Sequence, residues 1–312
     1  MVHFKADTPS PEQSAFHSRK SSSALTLNAG KLNRVYHFWS LRYRNMSTTN
    51  PPKILFFDTF GTVVEWRTCV TKELNTAALH AASLQHLPAD LRARAAAMTF
   101  HEWLAIVEQW RLSYSVFTTT FDSSSEFVSV DQHHYQALTR LLRENGLEGL
   151  FTDQERWDLA FSWHRLSPWP DSAQGLEALN RQFQTSTLSN GNLGLLRDLK
   201  SFGSLPFTHL TSAEDFGAYK PSPLVYKGAA KKYGFEPGQC AMVAAHLKDL
   251  KAAKDCGLQT VFVERYLEEA WSPVDVAKAK AEGWVDMWID ADSGGFLEVA
   301  RRFGIDPGQS GQ

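Results

Sequence analysis

The sequence predicts an α/β fold: a doubly wound parallel sheet core, interrupted just after its first strand by an inserted helical layer. Three observations carry this. From Asp171 onward, short apolar runs alternate with helix-length amphipathic segments, the pattern of parallel strands joined by crossover helices. Between about Cys69 and Arg165 the periodicity is helical throughout. Ahead of those helices stands one isolated run, Ile54-Leu55-Phe56-Phe57, with the continuous hydrophobicity of a strand buried on both faces.

Taken in order, residues 1–50 stand apart as an extension outside the fold. Between Gln13 and Asn50 the charged residues are Arg19, Lys20, Lys31, Arg34, Arg42 and Arg44, with a serine run at Ser21–Ser23 and no acid. A basic, acid-poor, serine-rich stretch suits either a disordered extension or a targeting segment. The compartment expected is the cytoplasm, or the mitochondrion if this stretch is a transit peptide.

The first strand ends in Asp58-Thr59-Phe60-Gly61-Thr62, where Gly61 allows a tight turn. Helices are expected over 70–84, 100–117, 132–145 and 153–166. Thr152 with Glu155 forms a capping-box signature, and Gly146 reads as a helix-ending glycine. Ser167-Pro168-Trp169-Pro170 then breaks the helical run and marks the return to the core. Strands follow at 184–188, 208–211, 239–245, 260–263 and 285–289. Their companion helices lie at 176–183, 193–202, 223–233, 248–256 and 295–302. The core therefore comprises residues 51–68 and 169–312, and the helical insertion residues 69–168.

Composition sets the limits. The chain has 312 residues, beyond the roughly 100–200 of one ordinary domain. Its 43% hydrophobic and 21% charged residues exclude a wholly disordered chain. A net charge of −2 excludes a polybasic nucleic-acid binder. No apolar run approaches the roughly 18–20 residues of a membrane span. Cys69, Cys240 and Cys256 are far apart and form no CxxC, which argues against a disulfide framework or a zinc site and for a reducing compartment.

In an open α/β sheet, ligands bind at the carboxyl ends of the strands. Those ends carry Asp58, then Ser189-Asn190-Gly191-Asn192, then Lys220, then His246 and Asp249. A carboxylate, a hydroxyl and amide pair, an ammonium and a second carboxylate thus converge on one edge. His133-His134, without partners at metal-ligand spacing, reads as surface, and Arg265 as a strand-end residue near the site without a role.

On these motifs the chain resembles the haloacid dehalogenase superfamily, and within it the L-2-haloacid dehalogenase type. The segments that carry the resemblance are Phe57-Asp58-Thr59-Phe60-Gly61-Thr62, Thr187-Leu188-Ser189-Asn190-Gly191-Asn192, Tyr219-Lys220-Pro221-Ser222-Pro223 with Val225-Tyr226, and Val243-Ala244-Ala245-His246 with Asp249. Trp110-Arg111 in the insertion resembles the cap arginine. The resemblance spans residues 53–306 and implies a Rossmann-like core under a helical cap. It implies that Asp58 is a nucleophile forming an aspartyl ester, that Lys220 holds and neutralises it, and that Ser189, Asn190 and Asp249 complete the catalytic set. Phe60, Thr62, Arg111 and His246 would contact the substrate, a small 2-haloacid. His246, three residues before Asp249, would pair with it and act on the hydrolytic water. Neither cofactor, nucleic acid nor membrane is expected, and a homodimer fits the same reading.

Phosphatases of the superfamily carry a second Asp two residues after the nucleophile, because a departing alkoxide needs a proton. Here that position is Phe60, and a departing halide needs none. Mg²⁺ is usually held by one or two carboxylates, yet Ala244 stands where the first acid of the last loop would be. The expectation is metal-independent carbon–halogen hydrolysis. The alternatives are an Mg²⁺-dependent phosphatase and a non-catalytic binder of small anions or a protein.

Overall fold

The computed structural model describes residues 50–122 and 126–308. Its centre is a five-stranded, all-parallel sheet of β1 (Ile54–Phe57), β4 (Gln184–Thr187), β5 (Cys240–Ala244), β6 (Gln259–Val263) and β7 (Met287–Ile289), in the order β4-β1-β5-β6-β7. β1 lies between β4 and β5, with Phe57 opposite both Thr187 and Val243. Every residue of β1 is buried, as its unbroken apolar sequence demands. The strand order reverses direction on either side of β1, so the turn after it opens at a topological switch point.

The sheet is flanked by α6 (Ser172–Leu179), α7 (Leu193–Phe202), α8 (Pro223–Lys232), α9 (Leu247–Asp255), α10 (Pro273–Glu282) and α11 (Phe296–Arg302). α11 packs on α6 at Gly175, where an added Cβ would stand 2.4 Å from Cβ of Phe296. Only glycine permits that approach.

The helical layer enters and leaves through a short antiparallel pair, β2 (Val64–Glu65) and β3 (Ser167–Pro168). Between them run α1 (Arg67–Ser83), α2 (Ala89–Ala97), α3 (Phe100–Thr120), α4 (Val130–Glu144) and α5 (Asp153–Ala160). The Thr152–Glu155 capping box forms as its sequence signature predicts, and Thr99–Glu102 caps α3 in the same way. The layer's core is aromatic: Trp103, Trp110 and Trp163 are fully enclosed.

Several expectations need correction. Residues 208–211 form no strand. Only isolated bridges, Ser186 to His209 and Ser189 to Ser212, join this segment to β4 and the turn after it. Threonine hydroxyls replace part of the ladder, with Thr185 N–H donating to Thr208 Oγ1 and Thr211 N–H to Thr187 Oγ1. The helix expected over 153–166 stops at Ala160 and tightens into a 3₁₀ turn over Phe161–His164. Helices α2 and α10 were not anticipated. His134 is buried rather than surface-exposed. Arg265 makes a two-pronged ion pair with Asp171, at 2.6 and 2.8 Å, and has a structural place.

All three cysteines are free thiols. Among the described residues no helix is long and apolar enough to cross a membrane. The targeting reading of residues 1–50 lies outside the described residues, apart from Asn50.

Candidate active site

β1 delivers Asp58 to the carboxyl edge of the sheet, pinned by its own N–H to Val243 O at 3.0 Å. The turn that follows brings Thr62 back, so that its hydroxyl donates to Asp58 Oδ2 at 3.0 Å and accepts Ala245 N–H at 2.9 Å. Thr62 is fully buried, so it touches the carboxylate rather than a ligand.

Lys220 arrives on the loop before α8. Asn190 seats this loop with two backbone hydrogen bonds, accepting Lys220 N–H at 2.7 Å and donating to Lys220 O at 3.1 Å. The ammonium sits between two carboxylates, 2.8 Å from Asp58 Oδ1 and 2.5 Å from Asp249 Oδ2. Asp249 lies in the first turn of α9, and its other oxygen accepts the Tyr226 hydroxyl at 2.6 Å. Ser189 is wholly buried and accepts Gly191 N–H at 3.2 Å, a turn-forming contact.

His246 departs from expectation. It does not pair with Asp249. Its Nδ1 lies 3.0 Å from Asp58 Oδ2, and its Nε2 lies 3.4 Å from Glu268 Oε2. The reason is local: Asp249 is already engaged by Lys220 and Tyr226, while the backbone of His246 is extended ahead of α9 and directs its ring toward β1.

The electrostatics follow from this crowding. Burial alone would raise the Asp58 carboxyl, but Lys220 and His246 outweigh it and hold Asp58 well below the usual carboxylate range. Burial opposes charge on Lys220, yet Asp249 and Asp58 raise it above an ordinary lysine. Burial, together with the charge of Asp58, pushes Asp249 up against the pull of Lys220. Burial likewise disfavours the imidazolium, but the contacts with Asp58 and Glu268 lift His246 to about 9. The resting site thus holds Asp58 ionised between an ammonium and an imidazolium.

A cavity of about 190 Å³ opens over this edge. Asp58, Asn190, Lys220, His246 and Asp249 line its floor, and Arg111, Tyr114 and Thr118 of α3 its roof. Arg111 lies over the Tyr114 ring, 4.7 Å from its centroid. Phe60 is not in the lining; its ring meets Tyr114 and Trp163 edge-on and backs the wall. Sequence reasoning missed Glu268, Glu269 and Trp271 on the loop after β6, and gave no role to Tyr226. The adjacent pair Glu268-Glu269 just past a strand end was the one signal available for that loop.

Residues 52–257 match the haloacid dehalogenase-like hydrolase family. A parallel core opening at a switch point, with a carboxylate after β1 and a lysine facing it, agrees with that match. The chain belongs to the haloacid dehalogenase-like hydrolases. It is 27% identical to (S)-2-haloacid dehalogenase 4A of Burkholderia cepacia over 212 residues, 67% of this chain and 81% of that one. Among solved structures, a defluorinating L-2-haloacid dehalogenase is 30% identical with a TM-score of 0.65, covering 82% of this chain and 98% of that one. Another L-2-haloacid dehalogenase is 29% identical with a TM-score of 0.63, covering 81% and 100%.

Proposed function

We propose that the protein is a hydrolytic 2-haloacid dehalogenase that works through an Asp58 ester without a metal ion. The observation that carries this is the pairing of Asp58 with Lys220 at 2.8 Å at the cavity floor, under a cationic, aromatic roof.

The substrate carboxylate pairs with the Arg111 guanidinium, a geometry for which that group is suited. Asp58 attacks the carbon that bears the halogen, the carbon–halogen bond breaks with its electron pair, and halide leaves. Water then adds to the Asp58 carbonyl carbon. The hydroxyacid departs carrying an Asp58 oxygen, and the carboxylate is restored. Lys220 keeps Asp58 ionised and oriented, Asp249 and Tyr226 keep Lys220 in place, and Thr62 fixes the carboxylate plane. Asp58 and Lys220 are themselves buried, which strengthens the interaction between them.

The donor set supports metal independence. Both Asp58 oxygens face cationic side chains, and both Asp249 oxygens are engaged by Lys220 and Tyr226. A divalent ion would have to displace an ammonium, and Ala244 offers no ligand. Phe60 puts a hydrocarbon wall where a phosphatase keeps its acid.

The test is a single turnover with enzyme in excess over 2-chloropropionate, in H₂¹⁸O containing EDTA. Chloride should appear, the label should enter Asp58, and the product hydroxyl should be unlabelled. Label in the product alone would overturn the ester. Chloride release that stops in EDTA and returns with Mg²⁺ would overturn metal independence.

A further inference from the structure

Glu268 is a buried carboxylate on which the chemistry described so far makes no demand. Its side chain is 3% exposed, and glutamate is seldom so enclosed unless it is paired. Trp66 Nε1 donates to its Oε2 at 3.1 Å and Arg67 Nη1 to its Oε1 at 3.0 Å. His246 Nε2 lies 3.4 Å from Oε2. Room for this carboxylate is made by Gly61, three residues after Asp58. An added Cβ there would stand 2.0 Å from Glu268 Oε2, and its φ of +80° also favours glycine.

The geometry points to Glu268 as the positioning residue of a Glu268–His246 pair that deprotonates the water hydrolysing the Asp58 ester. This rests on the reading of the preceding section. The chain of contacts runs Glu268, His246 Nε2, His246 Nδ1, Asp58 Oδ2, so Nδ1 faces the carboxyl group that the water must attack. His246 also borders the cavity, which gives water access to it.

Charge makes the pair a base only when one is needed. In the resting site the imidazolium faces two carboxylates, Asp58 and Glu268, and holds its proton. Ester formation removes the Asp58 charge. Arg111 on α3 remains and, with burial, disfavours imidazolium, while Lys220 stays across Asp58 with Asp249 beyond it. His246 then releases its proton to solvent, and Glu268 alone fixes the tautomer that leaves Nδ1 free. Nδ1 takes a proton from water while the hydroxide adds to the Asp58 carbonyl carbon. The alkoxide is expelled and takes the proton of the new carboxyl group. Asp58 is again a carboxylate and His246 an imidazolium. Over one cycle halide and one proton are released.

Glu268→Gln and His246→Gln are each mixed with excess 2-chloropropionate. Chloride in the first turnover, intact-protein mass and steady-state kcat are followed from about pH 6 to pH 10, with far-UV circular dichroism as the folding check. In Glu268→Gln, which removes no contact of Asp58 itself, first-turnover chloride should stay within about threefold of the parent enzyme. The Asp58 adduct should accumulate on most of the protein, and kcat should fall on the order of 100-fold, the range of a lost general base. In the parent enzyme kcat should rise with pH as His246 loses its proton. In Glu268→Gln that rise should move to lower pH, because one carboxylate no longer favours the imidazolium. A merely structural glutamate would change none of the mass spectrum, the burst or the midpoint. Unchanged kcat in Glu268→Gln, or no adduct in either variant while the parent still labels Asp58 from H₂¹⁸O, overturns the inference and leaves the ester reading standing. A parent enzyme giving neither chloride nor label overturns both.

Discussion

The strand edge half-buries a histidine and the helical layer encloses one fully, and they drive the two in opposite directions. His246 at the edge faces Asp58 and Glu268 and is lifted to about 9 despite its burial. His134 in the layer is stacked between Tyr114 and Trp163, with ring centroids 5.7 and 4.5 Å away. Among the described residues neither of its ring nitrogens finds a hydrogen-bond partner, and burial pushes it well below the usual imidazole range. Desolvation and Arg111 act on both; His246 gains two carboxylates, whereas His134 gains only the further repulsion of His133 and His164. A parallel sheet brings polar turns from several strands to one edge, while a helix-on-helix interface offers apolar stripes. The edge therefore supplies charge and the layer supplies enclosure.

The largest effect should come from removing the charge at the centre of the edge. Asp58→Asn keeps the shape and two hydrogen-bonding atoms but not the nucleophile. Halide turnover should fall on the order of 10⁴–10⁶-fold, as when other covalent nucleophiles are removed. Chloride release is the measurement. Residual turnover within tenfold of the parent enzyme would mean that the edge is not where bonds break.

Lys220→Met tests whether the same edge needs its cation to fold. It leaves Asp58 and Asp249 facing each other in a buried site, where breaking a pair costs about 3–5 kcal/mol. Urea unfolding should show a loss of that size at pH 7. The loss should shrink below about pH 4, where an ordinary carboxyl is protonated. A change under about 1 kcal/mol would show that water already solvates this edge.

Much of the edge is legible in the sequence. Asp58, Asn190, Lys220 and Asp249 follow successive predicted core segments, and parallel topology must bring such ends together. Lys220 reached its place even though residues 208–211 form only bridges, because Asn190 holds its loop directly. Glu268 was not legible in this way. It lies five residues beyond β6, and its partners Trp66, Arg67 and His246 are scattered along the chain. The sequence points to His246 but pairs it with Asp249, three residues on, whereas the sheet turns its ring toward Asp58 after β1. In the layer, capping signatures located α5. α10 carries comparable signs, Ser272-Pro273 before it and Gly283 after it, although its apolar pattern is weak. The enclosure of His134 depends on which faces of α3 and α4 meet, which one sequence does not specify.

The two histidines should also give stability profiles of opposite slope. His246 holds its proton to about pH 9 in the fold, whereas an ordinary imidazole releases it near 6.5. The folded state binds more protons between those values. Its contribution is complete below about pH 6.5 and is lost as pH rises to about 9. A tenfold change in proton affinity is worth about 1.4 kcal/mol, so a loss on the order of 2–3 kcal/mol is expected for this partly exposed ring. Urea unfolding at about pH 6 and pH 9.5 measures it. His246→Gln should flatten the slope, and an equal slope in both proteins would deny the charged pair.

His134 has the reverse sign and the smallest magnitude. It stays neutral in the fold while the unfolded chain protonates near 6.5. Lowering the pH below that value therefore favours unfolding. His134→Phe keeps the ring and its stacking on Tyr114 and Trp163, and removes two nitrogens that lack partners. Leaving a buried polar group unsatisfied costs about 1–3 kcal/mol. The variant should gain about 1 kcal/mol at pH 7 and more at pH 5, with halide turnover nearly unchanged. Thermal melts at both pH values decide it. A loss of stability at pH 7 would mean that the imidazole nitrogens are satisfied after all, and that the layer, like the edge, carries polar structure of its own.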